Sequence, residues 1–214
     1  MGNLIYTHYE NRTEWLGARS HGIGASEAAA VAGLSPWLTS TQLWRLKCGL
    51  DKPKDLSGIA AVEQGNRLEP ALRTLYAAEH PEFTIVHKPF DMLSQEGRPW
   101  LYATLDGEIH TADGRKGILE IKTSTCGKRA DWEKWNNQIP QYYYTQVLHQ
   151  FLASGFDFAV LYACLFNLEG DKTIRSYGFE RSECEADMQW LLGEETEFWR
   201  KVERREMPAM VLTL

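Results

Sequence analysis

Apolar residues recur at helical spacing near the start of the chain, then at every second position, then at helical spacing again, and these changes set out an order of elements. Between Glu14 and Gly49 the pattern predicts two or three short helices. In SEAAAVAG, Ser26 is placed to cap a helix and Gly33 to stop it; in TSTQLWRLKCG, Thr39 or Ser40 opens the helix and Gly49 ends it. DKPKDLSG, residues 51–58, is the flexible loop. A longer helix follows with Leu68, Leu72, Leu75 and Tyr76 on one stripe, and Pro70 inside it predicts a kink or a restart near Glu69. From Phe83 to Thr123 the period is two: FTIV, FDML, LYATLDGEI and GILEIKT read as strands, with the turn signal ADGRKG between the last two. A helix pair comes next, ADWEKW and IPQYYYTQVLHQFLA, the second opened by Pro140. In that second helix Val147, Leu148, Phe151 and Leu152 form a core stripe, while Tyr142, Tyr143, Gln146, His149 and Gln150 share a polar face. Strands DFAVLYACLF and KTIRSYGFE lead to a long final helix, which opens on SECE with Ser182 and Glu185 as a capping box. No internal repeat interrupts this order. It predicts an α/β fold, a mixed central β-sheet flanked by α-helices, in one domain over residues 1–214: N-terminal helices to residue 58, a core from 59 to 170, and a final strand and C-terminal helix from 171.

Composition removes several classes of function. No apolar run is long enough to span a bilayer, and the start MGNLIYTHYE lacks the basic-then-apolar pattern of a secretory signal, so the expected location is the cytoplasm, with no membrane involvement. The four cysteines form no C-x-x-C pair and are read as reduced, mostly buried thiols rather than zinc ligands or disulfides; the histidines lack H-E-x-x-H spacing. A net charge of −6 counts against a nucleic-acid partner, but residues 1–130 carry 15 basic and 15 acidic side chains, whereas the remainder carries 8 and 14. A phosphate-facing surface would therefore lie in the first 130 residues. In the last helix Trp190, Leu191, Phe198, Trp199 and Val202 read as core or subunit contact, and Trp37 and Trp44 as packed side chains.

GILEIKTST places a carboxylate, Glu120, and an ammonium, Lys122, on the same face of an otherwise apolar strand, and burying two charges there has to be compensated. Upstream, Asp106 ends YATLD; because Asp113-Gly114 is the better turn, Asp106 is expected inside a strand paired with GILEIKT. A two-residue loop at Asp113-Gly114 would set Asp106 opposite Ile121, on the wrong face. A three-residue loop through Arg115, or one β-bulge, sets it opposite Lys122 and beside Glu120, and this second register is the expected one. Two carboxylates about 5 Å apart at their Cβ atoms could share one hard cation, Mg²⁺ or Mn²⁺, with substrate phosphate completing the shell. The chemistry this suits is metal-assisted phosphodiester hydrolysis, with Lys122 orienting water or neutralising charge.

The arrangement D-(x13)-E-x-K, with GNRLEP upstream and YYYTQ downstream, resembles the PD-(D/E)xK nuclease superfamily, and within it the phage recombination exonucleases of the lambda exonuclease or YqaJ type, over roughly residues 14 to 170. The resemblance rests on R-x-x-G-I-G-A-S-E from Arg19 to Glu27, G-N-R-L-E-P from Gly65 to Pro70, Asp106 with Glu120-Ile121-Lys122, and Tyr143-x-x-Gln146. It implies a restriction-endonuclease-like core in which Asp106, Glu120 and the backbone carbonyl of Ile121 hold Mg²⁺, which Mn²⁺ can replace. Lys122 assists the attacking water, Glu69 points toward the metal as a ligand through water or from behind the ligands, and Gln146 closes the site. Arg19 and Ser26 match a pocket for a terminal 5′-phosphate, to which a Ser at a helix start would also offer free N–H groups. Lys128, with Arg129 beside it, stands where some relatives place a phosphate-binding arginine, and either residue could serve. The implied activity is 5′-to-3′ degradation of one strand of linear double-stranded DNA from its ends, leaving 3′ single strands for recombination in a bacterial or phage-infected cell. The implied company is a homotrimeric ring around the DNA and a single-strand annealing protein. An apolar wedge that separates the duplex ends could come from the Trp37–Trp44 region. Another PD-(D/E)xK nuclease, restriction-like or for repair, and an inactive DNA-end-binding module are the alternatives. G-I-G-A-S has no following Gly-Lys-Ser/Thr, so ATP is not implied.

Overall fold

The computed structural model describes residues 2–208. In chain order its elements are β1 (Leu4–His8), α1 (Arg12–Ala18), β2 (Ile23–Gly24), α2 (Ala28–Val31), α3 (Ser40–Lys47), α4 (Ala60–Glu79), β3 (Thr84–Val86), β4 (Asp91–Gln95), β5 (Arg98–Ala103), β6 (Gly107–His110), β7 (Lys116–Thr125), α5 (Arg129–Glu133), α6 (Gln141–Ser154), β8 (Phe158–Phe166), β9 (Lys172–Glu180) and α7 (Glu185–Arg204). The strands form two mixed sheets, ordered β1-β4-β5-β2 and β3-β6-β7-β8-β9. Each contains one parallel pair, β2 with β5 and β7 with β8.

The segment expected to be one strand, LYATLDGEI, is divided between these sheets. Its first part, β5, pairs with β4; its second, β6, pairs with β7, and Thr104-Leu105-Asp106 crosses from one sheet to the other. Alternation records which face each side chain takes but not which neighbour the backbone bonds, so the crossing left no mark in the pattern. Asp106 is therefore at a strand junction rather than inside a strand.

Helix α6 lies between the sheets. Val147, Leu148, Phe151 and Leu152 are each at most 4% exposed and join Leu93, Leu101 and Ala103 of one sheet to Ile118, Leu161 and Ala163 of the other. Each such side chain contributes roughly 1.5–3 kcal/mol by burial. That outweighs the roughly 0.7 kcal/mol or less per residue by which Tyr, Thr, Val and His disfavour helix, so packing decides this element. The other face of β7 and β8 is covered by α4, whose Leu72 and Tyr76 pack on Leu119, Ile121 and Tyr162. Leu75 of the expected stripe is 40% exposed. Gly65 allows the close approach: a Cβ there would stand 3.3 Å from Thr123 Oγ1.

α4 runs unbroken through Pro70, so there is no restart at Glu69. Pro70 removes one hydrogen bond, the one to the carbonyl of Asn66, at a cost of about 3 kcal/mol, and the packing of Leu72 and Tyr76 offsets a loss of that size. α3 follows the sequence closely: Thr39 accepts from the Gln42 N–H at 3.2 Å, Gln42 returns an acceptor to the Thr39 N–H at 2.9 Å, and Gly49, at φ +70°, turns the chain so that Leu50 N–H meets the Arg45 carbonyl. Two caps did not form. A 3₁₀ turn, Ala25–Glu27, precedes α2, and Ser26 sits exposed within it instead of capping. Another 3₁₀ turn, Arg181–Cys184, puts Ser182 inside a helical turn, whereas a cap needs extended backbone; α7 begins after Cys184 with no side-chain cap. β1, unforeseen in the sequence, borders β4.

Trp44 is buried as expected, but Trp37 is 69% exposed. In α7, Leu191, Phe198 and Val202 are core, Trp199 stacks on Trp100 at 6.2 Å, and Trp190 is half exposed. Among the described residues all four cysteines are free, and no helix is long and apolar enough to cross a membrane.

Candidate active site

Antiparallel pairing of β6 with β7 runs from His110 opposite Lys116 to Gly107 opposite Leu119, closed by a loop from Thr111 to Arg115. Continued by one position, this register sets Asp106 level with Glu120, not with Lys122. The expectation that both carboxylates share a face holds, with the pairing displaced by one step of the face. The ladder ends at Gly107 as the chain leaves for β5, which frees the Ile121 N–H. Asp106 Oδ2 accepts it at 2.7 Å, so the side chain replaces the missing strand. In a strand the N–H and C=O of one residue point the same way, so the Ile121 carbonyl faces this corner too.

Glu120 is 2% exposed and both its oxygens are held. Lys122 Nζ stands 2.5 Å from Oε1, Gln146 Nε2 donates to the same oxygen at 2.7 Å, and Gln150 Nε2 donates to Oε2 at 2.5 Å. Burial and then the charge of Glu120 push the Asp106 carboxyl well above the ordinary carboxylate range; Glu69 adds to the rise, and Lys122 and the Ile121 N–H oppose it. Burial also works against the Lys122 ammonium, but Glu120 and Asp106 outweigh it and hold Lys122 charged, well above the ordinary lysine value. Its Nζ lies 5.0 Å from the centre of the Tyr143 ring.

Glu69 belongs to this corner through Arg73, one helical turn on. Arg73 donates to Glu69 Oε1 at 2.5 Å and to the Asp106 carbonyl at 2.6 Å, and His87 Nδ1 lies 3.1 Å from that same carbonyl. Arg73 went unnoticed in the sequence; its spacing of four from Glu69 on a helix was the available signal. Gln150, placed on the polar face of α6, also proves to grip Glu120.

Arg19 and Ser26 are brought together. Arg19 Nη2 lies 3.3 Å from Ser26 Oγ, and its guanidinium sits 4.8 Å from the Trp15 ring centre. The Arg19 carbonyl is fixed by Lys47 Nζ at 2.8 Å and Tyr102 Oη at 3.0 Å. Lys47, nearly buried, has its pKa lowered by that burial, with Glu27 at 2.7 Å opposing. α2 is only four residues long, so an anion here would be met by side chains rather than by a helix dipole. Trp15 Nε1 donates to Thr104 at 3.0 Å, which ties this pocket to the crossing segment that carries Asp106. Lys128 precedes α5 and Arg129 pairs with Glu133 at 2.8 Å, both fully on the surface. Neither forms a hydrogen bond or ion pair with Asp106 or Glu120 among the described residues. Of the two, Lys128 has no ion-pair partner among the described residues.

A mixed sheet with a helix on each face, carrying Glu120 and Lys122 on the inner strand β7 with Asp106 at the junction beside them, defines the chain as an α/β protein with a PD-(D/E)xK-like core. Over residues 14–157 it matches the YqaJ-like viral recombinase domain, and it belongs to that family. It is 30% identical over 201 residues to the uncharacterized protein YqaJ of Bacillus subtilis (strain 168), a match that takes in 94% of this chain and 59% of that protein. The chain thus spans about three fifths of that relative. Its structure is similar to that of an alkaline exonuclease, LHK-Exo, from Laribacter hongkongensis, with a TM-score of 0.67, 17% identity, and 91% of this chain and 94% of that one covered. The dAMP complex of LHK-Exo gives a TM-score of 0.65 at 18% identity over the same shares. At these identities the likeness establishes the fold.

Proposed function

We propose that the chain is a Mg²⁺-dependent 5′-to-3′ exonuclease that enters linear double-stranded DNA at an end and degrades one strand, leaving a 3′ single strand for recombination by annealing. The observation that carries this is the Asp106–Glu120 pair on one face with Lys122 against it. Among the described residues no three His, Cys, Asp or Glu side chains are arranged to close around an ion. Two carboxylates and the Ile121 carbonyl still make an all-oxygen corner, and burial and then the Glu120 charge raise the Asp106 carboxyl above its ordinary range, which a cation bound there would relieve. Such a donor set fits a hard divalent ion that keeps several waters, Mg²⁺ or Mn²⁺. When bound, the ion would lower the pKa of a water and offset charge building on the phosphate oxygens.

The chain's own groups set the geometry. Gln146 and Gln150 fix the Glu120 carboxylate, and Arg73 fixes Glu69 and the Asp106 backbone. Lys122, held against Glu120 at 2.5 Å, donates hydrogen bonds to water or phosphate. Water adds to phosphorus as the bond to the 3′ oxygen breaks, and that oxygen takes up a proton. The reading also carries a trimeric ring around the duplex, a single-strand annealing partner and a bacterial cytoplasm as the setting.

The test is end-labelled linear duplex and covalently closed circles, each with and without Mg²⁺. Release of 5′ nucleotides from linear DNA only, and only with the metal, is expected. Rapid cutting of closed circles would point to an endonuclease instead, and inertness with Mg²⁺ to an end-binding module. The Arg19–Ser26 pocket adds a second expectation: ends bearing a 5′-phosphate are cut about 10- to 100-fold faster than 5′-hydroxyl ends, the worth of charged hydrogen bonds to a phosphate. Arg19→Ala should erase the difference in initial rates, and indifference of the wild type would discard the pocket.

A further inference from the structure

The most exposed aromatic side chain among the described residues, Trp37, stands at the end of a row of rings that leads to Lys122. Trp37 meets Tyr142 edge-to-face at 4.8 Å, Tyr142 meets Tyr143 at 4.5 Å, and the Lys122 ammonium lies 5.0 Å from the Tyr143 ring centre. Single exposed apolar side chains need no explanation, but this one is held in place. Ser35 Oγ accepts from the N–H groups of Trp37 and Leu38, each at 3.2 Å, and Pro36 between them fixes its own φ. The indole is therefore ordered and 69% exposed at once, with one edge of the ring pair already used.

Resting on the reading of the Asp106–Glu120 corner as the site of cleavage, we infer that Trp37, backed by Tyr142, is a stacking platform for an unpaired base of the strand being cut, at the far end of the ring row from the phosphate held at Lys122. An ordered indole loses little freedom when a base covers it, and stacking tolerates any sequence because every base has a π-face. Continuity with the corner is what selects a nucleobase over other occupants. The ring row begins at the group that would face the phosphate, and the bases of the same strand are the flat apolar surfaces that follow that phosphate along the backbone.

The experiment measures binding in EDTA, where nothing is cut, of a 5′-phosphorylated duplex with a frayed end, carrying either normal or abasic nucleotides at that end. Trp37→Ala should weaken binding of the normal end about tenfold, within the range for loss of one base–aromatic stack. Trp37→Phe should recover most of it. The wild type should lose a similar factor on the abasic end, where Trp37→Ala should cost nothing further. Equal binding of both ends by the wild type, or the same loss for Trp37→Ala on both, overturns the inference. Because no cleavage is involved, failure of the protein to digest linear DNA would count against the exonuclease reading alone.

Discussion

Asp106→Asn is expected to slow digestion of linear duplex by at least about a thousandfold, since several kcal/mol of charge stabilisation at the phosphate would be lost, while the protein stays folded. The substitution is close to isosteric, and an amide oxygen can still accept the Ile121 N–H that Asp106 Oδ2 takes at 2.7 Å. What it removes is a charge that burial, Glu120 and Glu69 all disfavour. The variant should therefore unfold at a higher temperature than the wild type in EDTA. Added Mg²⁺ should reverse the order, because an ion that binds only the folded wild type stabilises only the wild type. Glu120→Ala is a poorer probe. It strands Lys122, Gln146 and Gln150 around an empty place, and breaking a buried ion pair costs about 3–5 kcal/mol, so lost activity would be confounded with lost structure. Near-normal turnover by folded Asp106→Asn would remove the assignment of this corner.

The carboxylate pair was legible because a charge buried at Glu120 calls for compensation, and of a two-residue and a three-residue loop only the odd one sets Asp106 on the same face. The register was not, since it depends on a loop from Thr111 to Arg115 and on where the ladder ends, at Gly107. Departure of β5 for a second sheet is a matter of backbone partners, which two-residue periodicity does not encode. Thr39, Gly49 and the core stripe of α6 could be read locally, because each acts on its own turn or face. Ser26 and Ser182 could not: whether a serine caps depends on the backbone before the helix, and in both places the chain enters through a 3₁₀ turn. The polar face of α6 was seen but its burial was not. His149 and Gln150 are both wholly inside, and only the two-sheet arrangement shows what meets them.

His149 makes the larger of the two buried commitments, and Glu195→Ala is expected to lower stability by about 3–5 kcal/mol. At this chain length that is on the order of 10 °C in thermal unfolding. His149 Nε2 faces the Tyr102 carbonyl at 2.9 Å and must carry a hydrogen, so the contact between Nδ1 and Glu195 Oε1 at 2.6 Å holds a single proton between two wholly buried groups. Burial favours the neutral imidazole, but the Glu195 carboxylate more than offsets this and raises the His149 pKa. A raised folded value means that the pair's contribution is complete below the unfolded histidine pKa of about 6.5 and is lost as pH climbs through the raised one. Glu195→Gln can still donate to Nδ1 of a neutral ring, so it should cost less than Glu195→Ala and flatten that slope. A double replacement, His149→Phe with Glu195→Leu, should cost far less than the sum of the two single ones, because it leaves only the Tyr102 carbonyl without its partner. The pair clamps α6 to α7 and β5 one residue from Gln150 and one turn from Gln146, the two donors on Glu120. Melting curves across pH for the five variants decide the matter: single variants within about 1 kcal/mol of the wild type would show that α6 is held by its apolar stripe alone.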